Sequence, residues 1–151
     1  KQPAGGLHDL RRVGGVCAGS DLEDPVWRIE AYRLSLFMSD LAWSDGRELL
    51  KHRTGQEVGD QLLRSTARIS SCVIEGYSRC TSKDRARFYG YALGSARESR
   101  DWYYKGRHLL KPEVVAHRIE LATKIIKLLI AMVANEQKAG RRISPRGGVD
   151  S

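Results

Sequence analysis

Apolar residues recur at helical spacing through most of the chain. Trp27, Ala31, Leu34, Met38 and Leu41 form one stripe, which predicts a first helix over residues 25–44. Asp24-Pro25 opens it, with Asp as N-cap and proline at the first helical position, where a missing N–H costs nothing. Asp45-Gly46 reads as its end, and residues 47–55 as a linker with a helical turn around Leu49 and Leu50. Val58, Leu62, Ile69 and Val73, beside Leu63, Ala67, Ile74 and Tyr77, predict a second helix over 56–78. Thr81 followed three residues later by Asp84 has capping-box spacing, with Asp in place of the usual Glu or Gln, and announces a third helix over 82–105. Pro112 opens a fourth, to residue 138. Connections this short force antiparallel neighbours, so the expected fold is all-α, an up-down-up-down four-helix bundle over residues 24–138. Residues 1–23, with five glycines and little periodicity, read as a flexible lead-in, and residues 139–151 as a basic disordered tail.

The last helix is apolar over an unusually wide arc. Val114, Leu121, Ile125, Leu128 and Met132 form one stripe, and Val115, Ile119, Ala122, Ile126, Leu129 and Val133 a neighbouring one. About three apolar positions per heptad suffice for a helix of a monomeric bundle. Either a small domain buries this helix deeply, or the surplus covers a second copy of the chain. The second reading places Ile126 and Leu129 at an oligomer interface.

Charge adds a partner class. The chain carries a net +8, and residues 25–137 alone hold 19 Lys or Arg against 13 Asp or Glu, so the bundle itself is basic and polyanions are its natural partners. Lys83, Arg87, Gly90, Gly94 and Arg97 fall on one side of the third helix, opposite Phe88, Ala92, Ser99 and Trp102. Two interior glycines cost about 1 kcal/mol each relative to alanine. Either a neighbouring helix approaches there, or a phosphate backbone lies between the basic side chains. The second alternative makes Lys83, Arg87 and Arg97, with Arg141 and Arg142 of the tail, a nucleic-acid-binding surface. Arg85 falls nearer the apolar side and requires an acidic partner or a subunit edge. Glu75 and Arg79 have the favourable i,i+4 order for a structural ion pair.

The same residues leave little room for catalysis. His8, His52, His108 and His117 show no HxxxH or HExxH spacing, no second carboxylate pairs with Glu75 along its helix, and the glycine-rich segments lack the Lys-Ser/Thr ending of a phosphate loop. The reading is therefore a noncatalytic protein with no metal and no cofactor. Cys17, Cys72 and Cys80 lack paired spacing and read as reduced thiols. With no apolar signal core and no apolar run near the roughly 20 residues of a membrane span, a cytoplasmic protein without a membrane anchor is expected.

Gln61-Leu62, Arg64, Ile69, Ser71, Glu75-Gly76-Tyr77, Arg79, Phe88 and Ala92-Leu93-Gly94-Ser95 resemble the 23S rRNA intervening-sequence protein family of four-helix bundles, over roughly Asp24 to Asn135. Ser70, Cys72 and Arg85 stand where that family usually has proline, asparagine and an apolar residue. The resemblance gives Arg64, Glu75, Gly76, Arg79 and Gly94 structural parts, and implies five-fold rings, hence a homopentamer. In overall shape and charge the chain is also similar to the accessory variability determinants of diversity-generating retroelements, which implies a reverse transcriptase and its RNA as partners. Two functions follow as expectations: a basic homo-oligomeric scaffold that binds RNA or DNA through its phosphate backbone, and, as the alternative, a structural oligomer or protein-interaction hub encoded in an rRNA intervening sequence.

Overall fold

A computed structural model of the chain describes residues 24–143. The lead-in expected over residues 1–23 and the end of the tail, 144–151, lie outside the described residues. Four helices follow one another, α1 (Glu30–Leu50), α2 (Gln56–Tyr77), α3 (Ser82–Lys105) and α4 (Pro112–Ile143), with 3-10 turns at Pro25–Arg28, Arg53–Gly55 and Gly106–His108. Each helix packs along the next, and α4 returns to close the bundle against α1 over a smaller area than it shares with α3. This is the up-down-up-down arrangement, and no strand occurs among the described residues.

Cap chemistry sets the hairpin between α2 and α3. Thr81 Oγ1 accepts the backbone N–H of Asp84 at 3.1 Å and donates to its carboxylate at 3.1 Å, so Thr81 is the predicted N-cap, with Asp84 bound to the Thr81 hydroxyl instead of to its backbone N–H as a full capping box requires. Asp24 accepts the N–H of Val26 at 3.0 Å, but what it caps is the 3-10 turn. The α-helix proper starts after Ile29.

Two further boundaries differ from expectation. α1 runs through Asp45-Gly46 to Leu50 because both residues face inward instead of turning the chain. Gly46 lets α2 approach: a Cβ there would lie 2.9 Å from Leu63 Cγ. The turn comes at Gly55, where a Cβ would stand 2.3 Å from the Leu49 carbonyl oxygen. At the other end α4 continues to Ile143, so residues 139–143 are helix and not tail. Gly140 passes Ser82, which a Cβ would meet at 3.8 Å, and Arg141 and Arg142 place cations at the negative end of the helix dipole.

The core is drawn from all four helices: Met38 and Leu49 of α1, Leu62, Ile69 and Val73 of α2, Tyr103 of α3, Ile125 and Leu129 of α4. On α2 only one of the two predicted stripes is interior, since Ala67, Ile74 and Tyr77 are exposed. On α4 the surplus apolar arc is absorbed within the chain. Ile126 and Leu129, expected at a subunit interface, are 5% and 0% exposed and belong to the bundle's own core. The physical reason is that α4 lies against both α3 and α1, so its apolar arc must be wider than a single seam. Ile119, Leu121, Leu128, Met132 and Val133 pack at the margin of that core, and Ile130 and Ile143 are its exposed large apolar residues.

A polar cluster lies inside this core where α1, α3 and α4 meet. Asp45 Oδ2 accepts hydrogen bonds from Tyr103 Oη at 2.9 Å and Arg118 Nε at 2.7 Å, and Oδ1 lies 3.3 Å from Arg118 Nη2. Burial, and then the Asp45 charge, push the Tyr103 phenol well above its ordinary value. The cluster stays favourable only while complete, because each partner left alone would be a buried polar group without compensation. Asp45→Ala is expected to lower unfolding free energy by about 3 kcal/mol, against about 1 kcal/mol for Tyr103→Phe, in urea denaturation. The raised phenol value also fixes a sign: its contribution is complete below about pH 10, the phenol's ordinary value, and is lost as pH rises further. Tyr103→Phe should flatten that alkaline loss.

Candidate nucleic-acid interface

The outward face of α3 is fixed by what the helix buries. Tyr89, Ala92, Ala96, Ser99 and Tyr103 are interior, which turns Lys83, Arg87, Gly94 and Arg97 to solvent and leaves Gly90 half-exposed. Phe88 and Trp102, expected opposite the basic stripe, sit half-buried at the helix flanks. Gly90 and Gly94 decide between the two readings of this face. A Cβ at either position would meet nothing within 4 Å among the described residues, so none of the four helices of the chain packs there. Gly94 therefore packs against none of the described residues, so the structural part expected of it has no basis within the bundle. Gly76 does have one, since a Cβ there would stand 2.8 Å from Tyr89 Cε1.

The five predicted basic residues fall into two groups. Lys83 and Arg87 line a shallow groove of about 450 Å³ with Ala86, Glu136, Gln137 and Gly140. Gly140 brings the end of α4 to the start of α3, and Arg141 and Arg142, the next two residues of α4, are exposed. Arg97 stands apart, about 15 Å further along the axis at 1.5 Å per residue. It lines a second hollow of about 280 Å³ with Arg100, Asp101, Tyr104 and Ile119. The bare glycine stretch joins the two groups. Arg87 makes a 3.3 Å ion pair with Asp84, an exposed contact of the kind worth at most about 1 kcal/mol and easily exchanged for a phosphate.

Buried and half-buried charges nearby are spoken for. Arg85 finds the acidic partner required of it: Nε lies 3.0 Å from Glu136 Oε2, in an ion pair whose geometry falls short of a hydrogen bond. Its other nitrogens bond the carbonyls of Arg79 and Cys80 at 3.0 and 3.1 Å and Ser82 Oγ at 3.1 Å. Arg85 thereby ties the α2–α3 turn to the end of α4. Glu75 and Arg79 form the expected ion pair, and the Arg79 guanidinium lies 4.6 Å from the Phe88 ring centre. Arg64 is exposed and bonds to none of the described residues, so the structural part expected of it has no basis in its contacts.

Two aromatic residues complete the face and were not among the predicted site residues. Tyr91 is 48% and Tyr104 55% exposed. Tyr91 meets Phe88 edge to face at 5.6 Å, and the Arg107 guanidinium lies 4.0 Å from the centre of the Tyr104 ring. The available signal was angular: at 100° per residue both positions fall at the borders of the Lys83–Arg97 stripe, one on each side.

The fold and this face together define a small helical-bundle protein with a basic, aromatic-edged outer helix. Residues 31–131 match the family model of the 23S rRNA-intervening sequence protein, and the chain belongs to that family. Among solved structures it is similar to a protein of unknown function from the S23 ribosomal protein family of Bacteroides thetaiotaomicron. The TM-score is 0.64 at 21% identity, over 68% of this chain and 97% of that one, a likeness of fold alone. No curated protein matches the chain in sequence. Among the described residues no helix is long and apolar enough to cross a membrane, and no three His, Cys, Asp or Glu side chains group as metal ligands would.

The open glycine face makes a stability test. Gly90→Ala and Gly94→Ala are each expected to raise unfolding free energy by about 0.5–1 kcal/mol, since alanine gains helix propensity and meets no neighbour. Gly76→Ala should lower it, because the Tyr89 ring must shift. Chemical denaturation of the three variants checks both signs.

Proposed function

We propose that this protein is a noncatalytic, basic, homo-oligomeric scaffold that binds nucleic acid through its phosphate backbone. The carrying observation is the outer face of α3, where basic residues flank two glycines that none of the described residues covers. Phosphate contacts need positive charge and unobstructed approach rather than a shaped pocket. The unpacked glycines supply the approach, and Lys83, Arg87, Arg97, Arg141 and Arg142 the charge. The resemblance to families of five-fold rings extends the proposal to a homopentamer, in which repetition of one modest face raises the effective concentration of each further contact. Its similarity to reverse-transcriptase accessory subunits makes such an enzyme and its RNA the partners to examine first.

A second reading, a protein-interaction hub, draws on other exposed apolar residues. Trp43, 63% exposed, borders a surface hollow with Asp40, Arg47 and Glu48, and Ile74 is exposed on α2.

Fluorescence anisotropy with labelled RNA and DNA separates the two. Affinity is expected to fall steeply between about 50 and 200 mM salt, with little dependence on sequence. The triple variant Lys83→Glu, Arg87→Glu, Arg97→Glu should lose binding while keeping its helicity and oligomer size, since all three side chains are exposed. Wild-type affinity in that variant would reduce the face to a solvated surface. A wild type without salt-sensitive binding to any nucleic acid would favour the hub.

A further inference from the structure

We infer that the strand taken by this face is single, with its bases stacked on Tyr91 and Tyr104; the inference rests on the nucleic-acid reading above and adds the class of ligand. A charged track alone does not choose between duplex and single strand, because both present phosphates. Exposed aromatic faces do choose. In a duplex each base is already stacked and paired, so a tyrosine outside the groove has no base to meet, whereas an unpaired base offers its ring to any aromatic surface.

Three features of α3 converge on the unpaired case. Tyr91 and Tyr104 are the large apolar residues that this helix exposes, and they lie on opposite borders of the stripe that carries Lys83, Arg87 and Arg97. Both rings are held before any ligand arrives: Tyr91 by its 5.6 Å edge contact with Phe88, a ring that also has the Arg87 guanidinium 5.3 Å from its centre, and Tyr104 by Arg107 at 4.0 Å. Side chains ordered in advance lose less entropy on binding. Between the two rings, Gly90 and Gly94 remove the side chains that would stand above the helix, with none of the described residues within 4 Å of either Cβ position. That bare stretch lets one backbone lie close to the helix, with the Arg97 guanidinium beside it. The rings are about 20 Å apart along the axis at 1.5 Å per residue, a span of a few extended nucleotides. Nothing in this arrangement reads a 2′-hydroxyl or a base edge, so RNA and DNA single strands share the chemistry required.

The test compares a labelled mixed-sequence RNA strand of about 12 nucleotides, a length within the usual range of single-strand sites, with the blunt duplex of the same sequence. Both are titrated with the full chain at matched salt. The single strand should bind at least about tenfold tighter. Tyr91→Ala and Tyr104→Ala should each weaken it by about tenfold without changing the salt slope, since the phosphate contacts remain. Tyr91→Phe and Tyr104→Phe should bind like wild type, because the stacking face is kept, and circular dichroism should show unchanged helicity throughout. Equal affinity for the duplex, or alanine variants that bind the single strand as wild type does, would overturn the stacking inference while leaving the phosphate-binding reading standing. Failure of the wild type to bind either probe would overturn both.

Discussion

The bundle depends most on one buried ion pair. Asp45 and Arg118 are 73 residues apart in sequence, and their contact closes the seam between the first and last helices, the sequence-distant pair that shares a smaller area than α3 and α4. Desolvating two charges is costly, and the cost is met only where geometry and extra hydrogen bonds are complete. Here the carboxylate takes two nitrogens of Arg118 and the phenol of Tyr103, so three helices are fixed to one point. Apolar packing alone would tolerate sliding of α4 along its wide apolar arc. A directional contact sets its register. The Lys124–Glu30 pair, 2.9 Å long and exposed, marks the same seam further down and holds the Glu30 carboxyl below its ordinary value through its hydrogen bond.

That ion pair also marks where the sequence was hardest to read. Asp45-Gly46 has the composition of a turn, and local propensity ends α1 there. The competing fact is tertiary: Gly46 is required by Leu63 of α2, and Asp45 by residues of α3 and α4, none of which is near in sequence. By contrast the start of the third helix was legible to the residue, because Thr81 and Asp84 are local signals with a local mechanism. The excess apolar content of α4 was legible too, but its destination was not. Whether an arc wider than one seam faces a second chain or a second helix depends on how the neighbours are placed, and Ile126 and Leu129 turned out to face inward.

The candidate site was half legible. Helical periodicity placed Lys83, Arg87, Gly90, Gly94 and Arg97 together, since that needs only 100° per residue. It could not say whether the glycines faced a helix or open space. Arg141 and Arg142 were expected in a tail and are helical because α4 runs past residue 138 to Ile143. The same angular rule puts Tyr91 and Tyr104 at the borders of the Lys83–Arg97 stripe, but a border position can be core or surface, and only the packing of α3 against its neighbours leaves both exposed.

The order of contacts along the chain has a kinetic consequence. α1–α2, α2–α3 and α3–α4 each join across a few residues, so their closure entropy is small and their encounters fast. The seam between α1 and α4 closes the longest loop and is expected to form last. Its closing step is the burial of Asp45 and Arg118, whose dehydration comes before the strength of their contact is realised. The expected sequence of assembly is therefore a rapidly formed open sheet of four helices that shuts at one edge. On the way out the same edge is expected to part first, while the α2–α3 hairpin, with its cap and the Arg85 clasp on its turn, still stands.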